Sequence, residues 1–383
     1  MMLLEGHLVE SGEPARLVIA GSTVQQVEQV ENGPDVWIAP GLIDIQVNGY
    51  GGHDVNVEGV TPADIIELTH ALWRKGVTAF CPTIITQSEA YIGHCLRTIV
   101  AARDSDPLIA HAIPAIHVEG PYISAEDGPR GAHLLEHIRP PSIAEYQRWQ
   151  AVAGGRVGII TLAPEHAGSN EYIRTVAADG ILVSIGHTAA TGEQIRTAVE
   201  AGARLSTHLG NGAHARIARH PNYIWDQLAE DRLSASFICD GHHLPPSVMK
   251  TMLRAKGCER SVLISDSVAI AGLAAGIYET PVGGKVELLP NGRLNLYGTP
   301  YLAGSSSSLP ECIAQVVRHT DATLAQAVMM ASTQPAKLLG LERGTTQKGA
   351  SADLTLFTYD ETTGSIVIQA TVVRGEMVYQ RPS

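Results

Sequence analysis

Glu119, His187 and His208 are one carboxylate and two imidazoles, donors that together hold a divalent ion and leave a position open for water. Such an ion lowers the pKa of its water and polarises a carbonyl oxygen. Asp266 is a further carboxylate, of the kind that takes a proton from water and passes it to a leaving group. The combination fits metal-assisted hydrolysis of an amide or ester. Taken alone, each residue has an ordinary alternative. A histidine beside a strand is commonly a satisfied core or surface group, Glu119 suits a salt bridge, and Asp266 suits the cap of a following turn. The case for chemistry rests on where the four fall together.

The elements that must position them are short β-branched runs, eight in number, at 37–45, 76–81, 113–118, 156–161, 181–185, 204–207, 234–238 and 262–265. Stretches of helical period separate them. Thr61-Pro62 opens one with a cap and a first-turn proline, and Ile65, Leu68, Thr69 and Leu72 then share a face. Ala198, Gly202 and the segment 246–255 fit the same scheme. Eight β-then-α units predict a (β/α)8 TIM barrel. A doubly wound sheet calls for a G-x-G-x-x-G turn after the first strand, and none is present.

In such a barrel the C-terminal strand ends line the active-site mouth. Gln46-Val47-Asn48-Gly49 follows the first run and Glu119-Gly120-Pro121 the third. Gly186-His187-Thr188 follows the fifth, and the sixth ends in Thr207-His208. Asp240-Gly241-His242-His243 follows the seventh, and the eighth ends in Asp266. Six of the eight strands thus deliver a titratable, metal-capable or amide side chain to one rim. His117, one residue inside the third run, reads as structural or supporting.

Residues 1–39 and 345–383 carry short alternating β runs broken by glycine and proline, and predict one small β-sandwich domain built from both chain ends, beside a barrel domain over 40–344. With 27 Lys plus Arg against 39 Asp plus Glu, the net charge of −12 argues against nucleic-acid binding. No apolar stretch has the length of a membrane span. The N-terminus lacks the basic and apolar regions of a signal peptide, and five widely spaced cysteines include no C-x-x-C pair. Both features predict a cytoplasmic protein with reduced thiols. Sixteen histidines in an acidic chain raise the expectation of a metal site.

The string Pro40-Gly41-Leu42-Ile43-Asp44-Ile45-Gln46-Val47-Asn48-Gly49 resembles the opening barrel motif of the amidohydrolase superfamily, and in particular of N-acetylglucosamine-6-phosphate deacetylases. His117-Val118-Glu119-Gly120-Pro121-Tyr122, Gly131-Ala132-His133, Thr161-Leu162-Ala163-Pro164-Glu165 and Leu302-Ala303-Gly304-Ser305-Ser306 are similar to the same family. So are Ala331-Ser332-Thr333-Gln334-Pro335-Ala336-Lys337 and Gly349-Ala350-Ser351-Ala352-Asp353-Leu354. The resemblance runs in order along nearly the whole chain.

It implies a barrel with a β-sandwich from both ends, metal on Glu119, His187 and His208, Asp266 as catalytic acid and base, and His133 polarising the acetyl carbonyl. Sugar contacts are implied for Ala132, His133, Asn211, Gly212, Asp240, His243, Leu302, Ala303 and Gly304. Arg219 falls where the family binds phosphate, reaching the neighbouring subunit's site in a homodimer; its ordinary alternative is a surface ion pair. The implied reaction converts N-acetylglucosamine 6-phosphate to glucosamine 6-phosphate and acetate. Gln46 and Asn48 stand where many amidohydrolases carry His-x-His and bind two metals. Amides are weak zinc ligands, so these mark a vestigial second-metal position and one ion per subunit. That ion is expected to be Zn2+, with Fe2+, Mn2+ or Co2+ as other occupants. Gly210 replaces an expected aromatic and Gly212-Ala213 an expected Ala-Met, which predicts an enlarged or reshaped sugar pocket. The alternative substrates are N-acetylgalactosamine 6-phosphate, an unphosphorylated N-acetylated sugar or another small amide. A catalytically silent sugar sensor is disfavoured by the intact Glu119, His187, His208 and Asp266.

Overall fold

The computed structural model describes residues 1–280 and 284–382; Ser383, the last residue of the expected terminal domain, lies outside them. Eight parallel strands follow one another in sequence order around a barrel: Leu42–Val47, Val77–Ile84, Ile116–Glu119, Val157–Leu162, Leu182–Ile185, Leu205–Ser206, Ser234–Ile238 and Ser261–Ile264. The eighth strand meets the first through a Val47–Ser267 bridge and a bond from Asp266 N to Gln46 O of 3.0 Å.

The expected first run, 37–45, is two strands. Trp37–Pro40 pairs with Leu354–Asp360 in the terminal sheet, whereas Leu42–Val47 pairs with Val77–Ile84 in the barrel. The chain changes sheets at Gly41, where a Cβ would stand 2.2 Å from Thr78 Oγ1. The other seven runs match observed strands within a few residues at each end.

Helices cover the barrel because their apolar positions repeat on one face. In Pro62–Trp73, Thr61 and Asp64 form a reciprocal capping box, and Ile65, Leu68, Thr69 and Leu72 are buried as expected. Inside the barrel, Ile43, Ile45, Ile159, Leu205, Val262 and Ile264 form an apolar stack with Leu338, Leu339 and Leu341 against it. Among the described residues no helix is long and apolar enough to cross a membrane.

The two chain ends form one mixed seven-stranded sheet. Among the described residues its one parallel pairing joins Met2–Leu8 to Trp37–Pro40. The sheet is rolled around its own core of Leu17, Ile19, Val24, Ile38, Leu354 and Val372, with Thr23 bridging Ser351 across the roll. A three-stranded antiparallel sheet, Gly276–Thr280, Gly284–Leu288 and Leu294–Leu296, is inserted after the eighth barrel strand. Alternation was too short and too glycine-interrupted to announce it.

Asp353 fastens the terminal sheet to the barrel. Its buried carboxylate accepts from His111 Nε2 at 2.9 and 3.0 Å, Ser351 Oγ at 2.7 Å and Arg374 N at 2.9 Å. Burial alone would raise its pKa, but the hydrogen bond and charge of His111, with Arg343 nearby, hold it below the usual carboxylate range. A depressed folded pKa contributes stability above the unfolded value, and that contribution disappears as pH falls through the folded value. Asp353→Asn is therefore expected to destabilise the protein by about 3 kcal/mol at neutral pH. The Tm gap from wild type should shrink on acidification; a gap independent of pH would refute the charge argument.

Candidate active site

Glu119 ends the third barrel strand, and Gly120 follows with φ +80°, in a place where a Cβ would meet Thr86 Oγ1 at 2.1 Å. His187, His208 and Asp266 each follow a barrel strand with φ of +50°, +26° and +46°. Among the described residues only Arg374 joins them as a non-glycine with positive φ. Left-handed backbone is unfavourable for such side chains and persists where the surroundings over-determine it. Three candidate residues thus share the same strained strand-to-loop turn.

Their side chains converge. Glu119 Oε1 lies 2.8 Å from Gln46 Nε2, 2.9 Å from His208 Nε2 and 3.5 Å from His187 Nε2. His133 Nε2 is 3.8 Å from Glu119 Oε2 and 3.3 Å from His187 Nε2. Pro129 O can only accept, so His187 Nδ1 donates to it, at 2.8 Å, and Nε2 is turned into the cluster. Ligand atoms of Glu119, His133 and His187 all lie within 4.8 Å of one another. One carboxylate and several imidazoles whose Nε2 atoms converge on it are a donor set that fits a divalent ion of borderline softness.

The charges follow from this packing. Burial opposes ionised Glu119, yet hydrogen bonds and charge from His187 and His208 hold it well below its ordinary pKa. Burial also opposes a charged His208, and Glu119 outweighs it, raising the imidazole. Asp266 is pushed up to about 6 by burial and then by the charge of Glu119. His133 is pushed down to about 3 by burial and by His187, so it stays neutral.

The two amides on the first strand have distinct partners. Gln46 donates to Glu119 and accepts from Thr207 Oγ1 at 2.7 Å, while Asn48 Nδ2 donates to Asp266 Oδ1 at 2.8 Å. His243 Nδ1 donates to Asp240 Oδ2 at 2.7 Å, which leaves Nε2 as its free nitrogen. His117, buried between Ile45 O at 3.2 Å and Thr161 Oγ1 at 2.8 Å, links barrel strands, the structural one of the two readings expected of it.

A cavity of about 330 Å³ opens over the cluster. Of the residues expected at the site, Asn48, Glu119, His187, His208 and Asp266 line it, with Ala132, His133, Asn211, Gly212 and His243, and with Leu302, Ala303 and Gly304. Gln46 and Asp240 stand behind this wall, each holding a lining residue. Arg219 is exposed and does not line the cavity of its own chain.

Gly210 also differs from expectation. It does not line the cavity, and a Cβ there would meet Leu244 Cδ2 at 3.0 Å and Met252 Cε at 3.2 Å, so its lost side chain bears on that packing. Sequence reasoning missed Asp54, Asn56 and the apolar wall of Val268, Ile270, Val286 and Leu294. Asp54, in the short strand His53–Asp54 that pairs with Gly49–Tyr50, and Asn56 just after it lie shortly beyond Asn48-Gly49, and that polar pair after a strand end was the available signal. Burial raises Asp54 to about 6. Nothing in the primary pattern tied the inserted sheet to the rim.

Residues 37–378 match the Amidohydrolase family. The chain is 32% identical over 357 residues to N-acetylglucosamine-6-phosphate deacetylase of Bacillus subtilis, covering 92% of this chain and 87% of the relative. It is 35% identical over 357 residues to the Homo sapiens protein of the same name, covering 90% and 83%. A solved structure similar to it is a mutant N-acetyl-D-glucosamine-6-phosphate deacetylase from Mycobacterium smegmatis in complex with N-acetyl-D-glucosamine-6-phosphate. The TM-score is 0.87 at 27% identity, covering 98% of this chain and 99% of that one.

Gly212 presses on His187: at φ +52°, a Cβ would stand 2.7 Å from Nδ1. Gly212→Val is expected to displace the imidazole and weaken divalent-ion affinity by at least about 10-fold. A zinc titration against a competing chelator checks this; unchanged affinity would count against the geometry.

Proposed function

The chain belongs to the amidohydrolase family, and on that footing we propose that it hydrolyses N-acetylglucosamine 6-phosphate to glucosamine 6-phosphate and acetate. It is a hydrolase of an amide bond. The observation that carries the substrate is the placing of Asp266 and the Glu119 cluster in one cavity, in a chain whose relatives bear that name over 90% and more of its length.

Glu119, His187 and His208 are the residues that would hold a divalent ion, for which Zn2+ suits the donors. When bound, such an ion lowers the pKa of water and polarises a carbonyl oxygen. Gln46 supports one ion rather than two, because its amide hydrogens point at Glu119 where a second cation would need electron pairs. Asp266 accepts the proton that water loses on adding to the acetyl carbon. It returns that proton to the nitrogen as the C–N bond breaks, so the amine leaves neutral. Asn48 holds Oδ1 of this carboxylate and leaves Oδ2 for the transfer. Neutral His133 donates an N–H to the carbonyl oxygen. Ala132, Asn211, Gly212, His243 and residues 302–304 meet the sugar, and Asp240 keeps His243 oriented.

Arg219 is the phosphate ligand of a neighbouring site in a homodimer; its exposure outside its own cavity supports this, and a guanidinium binds phosphate bidentately. Cys81, Cys95, Cys239, Cys258 and Cys312 are free, which supports a reducing, cytoplasmic setting.

Acetate release from N-acetylglucosamine 6-phosphate and from N-acetylglucosamine, assayed side by side on zinc-loaded protein, tests the reading. A strong preference for the phosphorylated sugar is expected, and Asp266→Asn should lower kcat by about 10³-fold with metal content retained. Substantial turnover by that variant would remove Asp266 from its role. Arg219→Ala should raise KM for the phosphorylated sugar by at least about 10-fold and leave the unphosphorylated one unaffected. Equal effects on both would refute a phosphate contact.

A further inference from the structure

Asp44 is a carboxylate only 1% exposed, on the first barrel strand, with no part in the chemistry above. Its neighbours are hydrogen-bond donors. Oδ1 accepts from Gln46 N at 3.3 Å, and Ser265 N lies 3.2 and 3.3 Å from its two oxygens. Burial pushes it up to about 7. An enclosed carboxylate without a cation is strongly unfavourable unless the fold needs its acceptors.

The barrel seam supplies that need. Among the described residues the first and eighth strands share one bridge, Val47–Ser267, and the strands do not form a ladder below it. Ile43 N turns instead to Ala331 O at 2.8 Å, and Ser265 N turns to the Asp44 carboxylate. Asp266 comes next, at φ +46°. A left-handed aspartate holds its conformation only when both flanks are fixed. One flank is Ser267, whose carbonyl accepts from Asn48 N at 2.9 Å and Gly49 N at 3.0 Å. The other flank is Ser265, which Asp44 fastens to the first strand just ahead of the bond from Asp266 N to Gln46 O at 3.0 Å.

We infer that Asp44 is a positioning residue for Asp266, closing the seam through the Ser265 amide and so fixing the turn that aims the Asp266 carboxylate into the cavity. The inference rests on the acid/base reading of Asp266. It assigns Asp44 an effect on kcat and not on substrate affinity.

Acetate release from N-acetylglucosamine 6-phosphate, bound zinc and Tm are measured for four variants: Asp44→Ala, Asp44→Asn, Asp266→Asn and the double variant Asp44→Asn/Asp266→Asn. Asp44→Ala should lower kcat by about 10- to 100-fold, with KM and zinc content within about twofold of wild type. Asp44→Asn keeps one acceptor for the two amides, so a smaller loss of about 3- to 10-fold is expected, a partial rescue. On the Asp266→Asn background the Asp44→Asn change should have no further effect on residual turnover, because the two act as one unit. Losses that simply multiply, or unchanged kcat in Asp44→Asn, would overturn the inference. If Asp44→Ala does not fold, the Asn variant and the double variant decide alone. Substantial turnover by Asp266→Asn would instead sink the acid/base reading, a separate failure.

Discussion

Glu119 is the constraint on which the site depends. A buried carboxylate must be surrounded by donors or cations. Around this one stand Gln46, His187 and His208, with His133 at 3.8 Å. Those partners come from three different strand ends and one loop, so satisfying a single charge draws the rim of the barrel together. Burial, and then the same charge, lift the pKa of Asp266, the only other carboxylate among the four residues that opened the chemical reading. The placing of the rim side chains and part of the shift at Asp266 therefore both follow from one buried anion.

The barrel separates its two tasks along its axis. Branched aliphatic residues fill the interior below, closed by Leu338, Leu339 and Leu341. Polar side chains are left to the C-terminal rim, where strained turns at His187, His208 and Asp266 lift them above that stack. A rigid floor with polar turns on top holds the rim side chains to a fixed geometry. The inserted sheet has a separate small core of Ile270, Val286, Leu288 and Leu294, three of which also face the cavity.

The barrel strands were legible because fully buried parallel strands appear as short β-branched runs. The rim was legible because polar residues interrupt those runs at their ends. Boundaries were not: nothing in the pattern of 37–45 distinguishes a sheet change at Gly41 from a continuous strand, since the cause is the approach of Thr78, 37 residues later. That Glu119, His187, His208 and Asp266 gather at one rim was legible from residue type and place. Partnerships such as Gln46 with Thr207, or Asp240 with His243, depend on which rotamers the packed rim allows. Gly210 shows the limit of comparing residue types alone: a missing ring suggests a larger pocket until its neighbours prove to be Leu244 and Met252.

The terminal sheet has a consequence for biosynthesis. Leu42 N donates to Thr355 Oγ1 across 313 residues, and Trp37–Pro40 finds its antiparallel partner only in Leu354–Asp360. At roughly 5–20 residues per second, a ribosome separates the emergence of those two segments by about 15–60 s. Met2–Leu8, Pro14–Ala20 and Thr23–Gln29 can assemble early as local hairpins, but Trp37–Pro40 then offers an open strand edge throughout elongation. Unpaired edges of this kind recruit other chains. The nascent protein thus has its greatest exposure to misassembly before Leu354–Asp360 is made, and a chain that stops short of that strand should be stranded there.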